Sequence, residues 1–587
     1  MKRLGTARAL YDKNHQPRTK NQELRTKNQV LSTKSMQERQ RKWIAYALLL
    51  VTAFSFRFCV ARFLANDGPG DGKVYAQMAR NLLEQHVYSH DTEPPYSPSL
   101  IRLPGYPLFI AAIYSVFGHY NNTAVRVAQA LLDTFTCGLV ALLAYFWEPD
   151  EKRKRRASIA AMALAAACPF TAIYVGTILT ETWACLLAVA LCLLTTLAIK
   201  ASTAKQFFGR WALAGFVGGL GVFFRPDSGL FVAAVGVVLV VTEWFRPDWE
   251  YPIAALRFKL KRVFVAGSVL SLAFILLLVP WTVRNWRTFH LFQPLSPAHG
   301  EMPGEFVPRG YYAWVTSWVD DGSYVEAILW NLDDKQIDPE DLPDRAFDSP
   351  EEKARVAALL DQYNNPPPAA EPEPAETPSP TPSPIPTPEP AVKKALSGKQ
   401  QQGPSPSPDD MKDEEQPADE SSGDEEQSDE AEEPQTPEMT PAIDAAFGQI
   451  ARERVARAPV RSYLWLPLKR AWSLWVNPHA DYYPFSGDLF PLDDLDHTIH
   501  QQVWLPLFAV LVGIYSLLGI SGGWFLWRAR VFAVRRWLLL AVLLMFIRLA
   551  FFSTMENPEP RYMVEFFPFL AVLGGIALAR IWNVRQT

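Results

Sequence analysis

The chain has 587 residues, 49% of them hydrophobic, 13% aromatic and 20% charged, with a formal net charge of -4. A soluble globular chain carries about 25% charged residues, whereas here the apolar residues gather into runs about twenty long, enough to cross a hydrocarbon core of about 30 Å. A small disulfide scaffold, a coiled coil, a collagen and a single soluble enzyme are excluded, and the composition is that of an all-α polytopic membrane protein.

Residues 1–42 carry twelve Lys or Arg against three acids and lead into an apolar run from Trp43 to Ala65. A signal peptide would have a shorter apolar core and a small-residue cleavage site, so a retained first span is expected, with the N-terminus in the cytoplasm. A polar stretch follows, holding Asp67, Asp71 and Arg102. The next apolar piece, 105–118 (GYPLFIAAIYSVFG), is about 21 Å long as a helix, too short to cross. It is expected to lie in the outer interface, within an outer loop 66–122. The run 123–147 then crosses, which places Lys152-Arg153-Lys154-Arg155-Arg156 in the cytoplasm as the positive-inside bias requires. Further spans are expected near 157–175, 178–199, 209–225, 228–243, 263–281, 503–527, 535–555 and 562–582. That gives about ten crossings with both termini cytoplasmic. Cys59, Cys137, Cys168, Cys185 and Cys192 all fall in apolar segments and read as small buried side chains.

Residues 282–500 then form one extracytoplasmic loop. Its centre, 366–441, has 19 prolines and no aromatic residue, and turns acidic after a Pro/Ser/Thr-rich start. Such a composition buries too little apolar surface to offset chain entropy and is expected to be disordered. The flanking pieces 301–365 and 442–502 are richer in aromatics. VRSYLWLPLKRAWSLWVNP reads as an amphipathic interfacial helix with aromatic anchors.

Ionisable residues at hydrocarbon depth each cost at least about 2.5 kcal/mol, and cationic ones at the outer face run against the topological bias. Arg57 lies deep in the first span; Arg102, Arg225, Arg284 and Arg561 fall at the same outer level, with Glu181 and Asp227 beside them. Snorkelling explains any one of them. Five arginines at one level call for a common cause, most simply a bound phosphate. Asp71 and Tyr75, four apart, share a helix face. A helix N-cap and a catalytic carboxylate are both open to Asp71.

In order along the chain, DGKVYAQMARNLL, IRLPGYPLFIAAIYSVFG, AVRVAQALL, PFTAIYVGTILTETW, GFVGGLGVFFRPDSGL, PWTVRNWRTFHLFQPLSPAHG and PEPRYMVEFFPFLAVLGGIAL resemble polyprenyl-phosphate-sugar-dependent membrane glycosyltransferases of the GT-C class. The nearest likeness is to bacterial relatives of protein O-mannosyltransferases and of lipid A aminoarabinose transferase. The resemblance implies a GT-C-like transmembrane core over 43–300, continued by C-terminal helices in 503–587. It implies sugar transfer at the extracytoplasmic face of the inner membrane, from a polyprenyl phosphate such as undecaprenyl phosphate to a lipid, glycan or protein acceptor. It assigns Asp71 as the catalytic carboxylate and Arg102 as a donor-phosphate ligand, joined by Arg284 and Arg561 and then by Arg57 and Arg225. Glu181 would orient substrate. Beside these assignments, Tyr75 and Tyr106 would line the sugar pocket, with structural packing the other reading open to both. Gly72 stands where many relatives have a second acid, and no Asp-x-Asp pair follows the first span. Metal-independent, inverting transfer is therefore expected, with no metal site, no cofactor and no nucleic-acid partner. A transporter or flippase of an anionic substrate is the alternative, and a membrane scaffold with an acidic recruiting loop is a third. A transporter is expected to place its polar groups near the bilayer midplane rather than at one face.

Overall fold

The structure is a computed structural model that describes residues 43–66, 70–245, 252–366, 436–485, 487, 499–529 and 532–584. Asp67, the basic tail and most of the Pro-rich insertion lie outside these. Among the described residues the chain is helical, with one isolated bridge between Asn66 and Thr177.

Helix α1 (Trp43–Phe63) enters the bundle. Two shorter helices, α2 (Asp71–Glu84) and α3 (Gly105–Phe117), follow at one end of it. Then come α4 (Asn122–Trp147), α5 (Glu151–Ala166), the single turn α6 (Pro169–Ala172), α7 (Glu181–Ile199), α8 (Ala204–Phe224), α9 (Gly229–Trp244) and α10 (Pro252–Phe289). The C-terminal part supplies α15 (Ile499–Arg528), α16 (Phe532–Phe552) and α17 (Phe566–Val584). Seven of these helices are long and apolar enough to cross a membrane, and an eighth is made by α5 with Pro169–Val175. That pair is bent by 53°. The break falls at Pro169, whose ring offers no N–H and turns Cys168 out of the helical region. The expected crossings at 535–555 and 562–582 correspond to α16 and α17, which are not among the seven. The run expected at 263–281 is far longer in the structure, so Arg284 sits inside α10 rather than beyond its end.

Helix α17 is the packing axis. An added Cβ at Gly575 would fall 2.5 Å from the Cβ and the backbone nitrogen of Ala161, so α5 and α17 approach with almost no side chain between them. Small residues at such contacts let helix backbones close together where lipid supplies no hydrophobic drive. At the far end of this axis Arg580 pairs with the buried Glu148 at 3.2 Å, which Arg153 also reaches at 3.4 Å.

Residues 301–365, expected as a loop segment, fold with 436–457 into a helical unit of their own. It is built from α11 (Arg309–Thr316), α12 (Pro350–Asn364) and α13 (Pro441–Arg457). Tyr311, Trp314, Trp318, Leu360 and Phe447 are fully or almost fully buried in its core. Residues 436–441, expected to be disordered with the insertion, belong to this unit: Met439 is buried in it, and the Glu438 amide donates to the Tyr363 carbonyl at 3.0 Å. The π-helical turn Arg461–Trp465 leads into helix α14 (Leu466–Val476), and the two turn Tyr463, Trp465, Leu468 and Trp472 outward, as the amphipathic reading expects. The opposite face of α14 buries Arg470, whose Nε donates to the Val319 carbonyl at 2.7 Å and whose Nη1 donates to that of Ser553 at 3.3 Å. That side chain pins the helical unit to the end of α16.

Candidate active site

Asp71 is the first residue of α2 and sits in its first turn, where a carboxylate gains from the helix dipole. It does not cap the helix: Gly70 holds the cap position, at φ +37°, and no side chain bonds there. The Asp71 side chain turns instead to Arg102, whose Nη2 meets Oδ1 at 2.7 Å, and to Arg561, whose Nη2 lies 3.6 Å from Oδ2. Burial alone pushes the Asp71 carboxyl up, but Arg102 and then Arg561 outweigh it and hold the group below its ordinary range. The Asp71 and Arg102 side chains keep 29% and 31% of their surface, so the pair is reachable.

The local framework explains this convergence. The Arg102 carbonyl accepts from the Tyr88 hydroxyl at 3.1 Å, and the Tyr88 ring packs edge-on against Trp281 of α10 with centroids 5.3 Å apart. Pro104 then opens α3. A Cβ at Gly105 would lie 2.5 Å from the Phe223 carbonyl oxygen, so only glycine lets α3 seat this closely on α8. Arg561 arrives on the turn Pro560–Met563 between α16 and α17. Glu559 lies along its side, with Oε1 accepting from Nη2 at 3.1 Å and Oε2 in ion-pair contact with Nε at 2.5 Å, outside hydrogen-bond geometry. Nη1 of Arg561 donates to the Tyr482 hydroxyl at 3.3 Å.

A second ladder of ion pairs runs beside the first. Glu181 meets Arg225 at 2.6 Å, Arg225 meets Asp227 at 3.2 Å, Asp227 meets Arg548 at 2.6 Å and Arg548 meets Glu565 at 2.9 Å. The Tyr562 ring joins the ladders, with the guanidinium carbons of Arg225 and Arg561 at 5.7 and 5.4 Å from its centroid. Arg225 is near enough to help depress Asp71.

Asp71, Arg102 and Arg561 are therefore in direct contact, with Arg225 and Glu181 within electrostatic reach. Tyr75 stands over Tyr106 edge-to-face at 5.1 Å. Burial, then Asp71, pushes the Tyr75 phenol up, so it stays a hydrogen-bond donor. Tyr106 does not fit the pocket-lining role: it is fully buried, and its hydroxyl donates to Gln129 Oε1 at 2.6 Å. Arg284 is apart, donating to the Ser99 carbonyl at 2.8 Å and lying over Trp281 at 5.0 Å. Arg57 is a correction. It is fully buried, pairs with Asp133 of α4 at 2.6 Å, and donates to the carbonyls of Ala166 and Ala165 at 2.9 and 3.0 Å. Each of its three nitrogens is engaged, by Asp133 of α4, by Ala53 of α1 or by the end of α5, in an interior with no exposed edge for a phosphate. Sequence reasoning missed Glu559, Tyr482, Arg548 and Glu565. Arg548, a charge inside an expected span, was the available signal. Among the described residues no group of three or more His, Cys, Asp or Glu side chains gathers as metal ligands do.

Residues 97–282 match the family described as dolichyl-phosphate-mannose-protein mannosyltransferase. This stretch contains Arg102, Glu181 and Arg225 and stops short of Asp71, Arg284 and Arg561. The match covers about a third of the chain and agrees with the resemblance to GT-C membrane glycosyltransferases read from the sequence. A search of curated proteins gives no match. Among solved structures, the chain is similar to ArnT from Cupriavidus metallidurans bound to undecaprenyl phosphate, at 13% identity over 93% of this chain and 79% of that one, with a TM-score of 0.35. It is similar also to the archaeal oligosaccharyltransferase AglB from Archaeoglobus fulgidus, in complex with an inhibitory peptide and a dolichol-phosphate. There the identity is 12% over 92% of this chain and 50% of that one, and the TM-score is 0.38. Likeness this slight carries no argument about the site.

Proposed function

We propose that this protein is a membrane glycosyltransferase of the GT-C class that takes its sugar from a polyprenyl phosphate and passes it to an acceptor hydroxyl at the extracytoplasmic face, with Asp71 as the catalytic carboxylate. The observation that carries the reading is the Asp71 carboxylate held between Arg102 and Arg561, a cationic pair that suits a phosphate as well as it suits an aspartate. Both guanidiniums depress the Asp71 pKa and so make it a poor base. A lipid phosphate settling on Arg102 and Arg561 takes up their charge and frees the carboxylate, whose basicity then rises. Asp71 accepts the acceptor proton as the acceptor oxygen attacks the anomeric carbon from the face opposite the phosphate. The bond to the phosphate oxygen breaks, the arginines stabilise the charge left on it, and the anomeric centre inverts. The step as written needs no metal ion. Tyr75, a retained donor one helical turn from Asp71, and Glu181, whose Oε2 has no hydrogen-bond partner among the described residues, are proposed to hold sugar hydroxyls.

The test is D71N in the full-length protein. Transfer should fall by about a thousandfold or more while polyprenyl phosphate still binds, in keeping with loss of a general base together with its charge. Transfer at the wild-type rate would remove Asp71 from the chemistry.

The alternative of a transporter draws on the charged side chains of Arg548 and Glu565. Arg548 pairs with both Glu565 and Asp227, and through Asp227 and Arg225 the ladder continues toward Asp71, which favours the enzyme.

A further inference from the structure

The contacts of Glu559 point to a role the sequence does not announce. Its carboxylate lies against the Nε–Nη2 edge of Arg561, with Oε1 accepting from Nη2 at 3.1 Å and Oε2 in ion-pair contact with Nε at 2.5 Å without hydrogen-bond geometry, so it covers the edge a phosphate would also take. The remaining Arg561 nitrogen, Nη1, faces Tyr482, and Nη2 also faces Asp71. A phosphate therefore reaches a full edge of Arg561 only when Glu559 lets go. Glu559 is built to do so without being orphaned, because its Oε1 also accepts from Asn557 Nδ2 and from the Tyr562 hydroxyl, each at 2.7 Å.

Charge balance points the same way. Among the described residues the two joined ladders hold the guanidiniums of Arg102, Arg225, Arg548 and Arg561 against the carboxylates of Asp71, Glu181, Asp227, Glu559 and Glu565. The arginines are thus already neutralised. For a turnover enzyme this matters at the end of the reaction. The donor is a phosphodiester with one negative charge, but the departing lipid monophosphate carries about 1.5 to 2 at neutral pH. Arginines left bare would hold that product more tightly than the donor.

We propose that Glu559 is the counter-ion that competes with the lipid phosphate for Arg561, and that it returns to Arg561 to expel the spent lipid phosphate. The proposal rests on the donor reading above. The test is titration of full-length protein in nanodiscs with undecaprenyl phosphate, comparing wild type with E559Q and with E559M as a second charge-free variant. Size-exclusion profile and thermal midpoint verify folding. Removing the competing charge should tighten binding by about tenfold and slow dissociation, and in transfer assays should lower KM and kcat together. Unchanged or weaker binding in folded variants overturns the proposal while leaving the donor reading intact. Absence of binding in wild type as well sinks the donor reading and this proposal together. Failure of both variants to fold assigns Glu559 a purely structural role and also overturns it.

Discussion

The reassignment of Arg57 makes a sharp prediction. Its side chain is fully buried, and so, within 2% exposure, is Asp133. Thr171 Oγ1 adds a long contact to the same Asp133 oxygen at 3.4 Å. R57M strips Asp133 of its partner and leaves an uncompensated buried charge, which costs about 3–5 kcal/mol. It also leaves the Ala166 carbonyl without its Arg57 donor and the Ala165 carbonyl with only the Cys168 amide at 3.3 Å, a further cost of about 1–3 kcal/mol. R57M D133L keeps the second cost and removes the first, so the double variant should be more stable than R57M alone by about 3 kcal/mol. Denaturant titration of purified protein in mixed micelles reads the difference. A double variant no more stable than the single one would refute the buried-pair argument. A folded double variant that has lost undecaprenyl phosphate binding would return Arg57 to the phosphate site.

Three further outcomes are expected. Replacing 367–435 with a short Gly/Ser linker should leave folding and transfer unchanged, because Glu438 already hydrogen-bonds Tyr363 across the gap at 3.0 Å; loss of transfer with normal folding would favour the scaffold reading. Burial lifts the Asp348 carboxyl, but the hydrogen bond from Arg461 and the charges of Arg454 and Arg457 overcome it and set its pKa below the ordinary value. Its contribution to stability is therefore present at neutral pH and lost as pH falls through that lowered pKa, so acid should loosen the α11–α13 unit in wild type more than in D348N, read by proteolysis. G575A should destabilise the bundle by about 1–3 kcal/mol, because its methyl meets Ala161 at 2.5 Å and two helix backbones must part; a thermal midpoint equal to wild type would refute that close contact.

Much of the bundle was legible because hydrophobic runs and basic turns are local signals. The expected positions of α4, α7 and α9 lie within a few residues of those observed. The α11–α13 unit was not legible. Trp314 and Trp318 have the composition of membrane anchors, and only a partner more than a hundred residues away, Phe447, makes them a core. The site divides in the same way. Asp71 and Arg102 stood out by spacing and by family likeness. Arg57 carried the same signature of a charge at depth, and its real role depends on Asp133, a polar residue inside an apolar run that drew no notice. Of the two readings open to Tyr106, sugar pocket and structural packing, the structure agrees with packing, because its hydroxyl is consumed by Gln129, a pairing between two helices that spacing alone does not reveal. Glu559 lies within a quoted motif, yet its meaning comes only from the geometry at Arg561.

The account depends above all on two guanidiniums, brought from opposite ends of the chain to one carboxylate, being the seat of a lipid phosphate. The direct measurement is binding of undecaprenyl phosphate to the full-length protein in nanodiscs, wild type against R102Q R561Q. Saturable binding in wild type, weakened by about a hundredfold or more in the folded double variant, is the predicted result. Equal binding by the two proteins would contradict it.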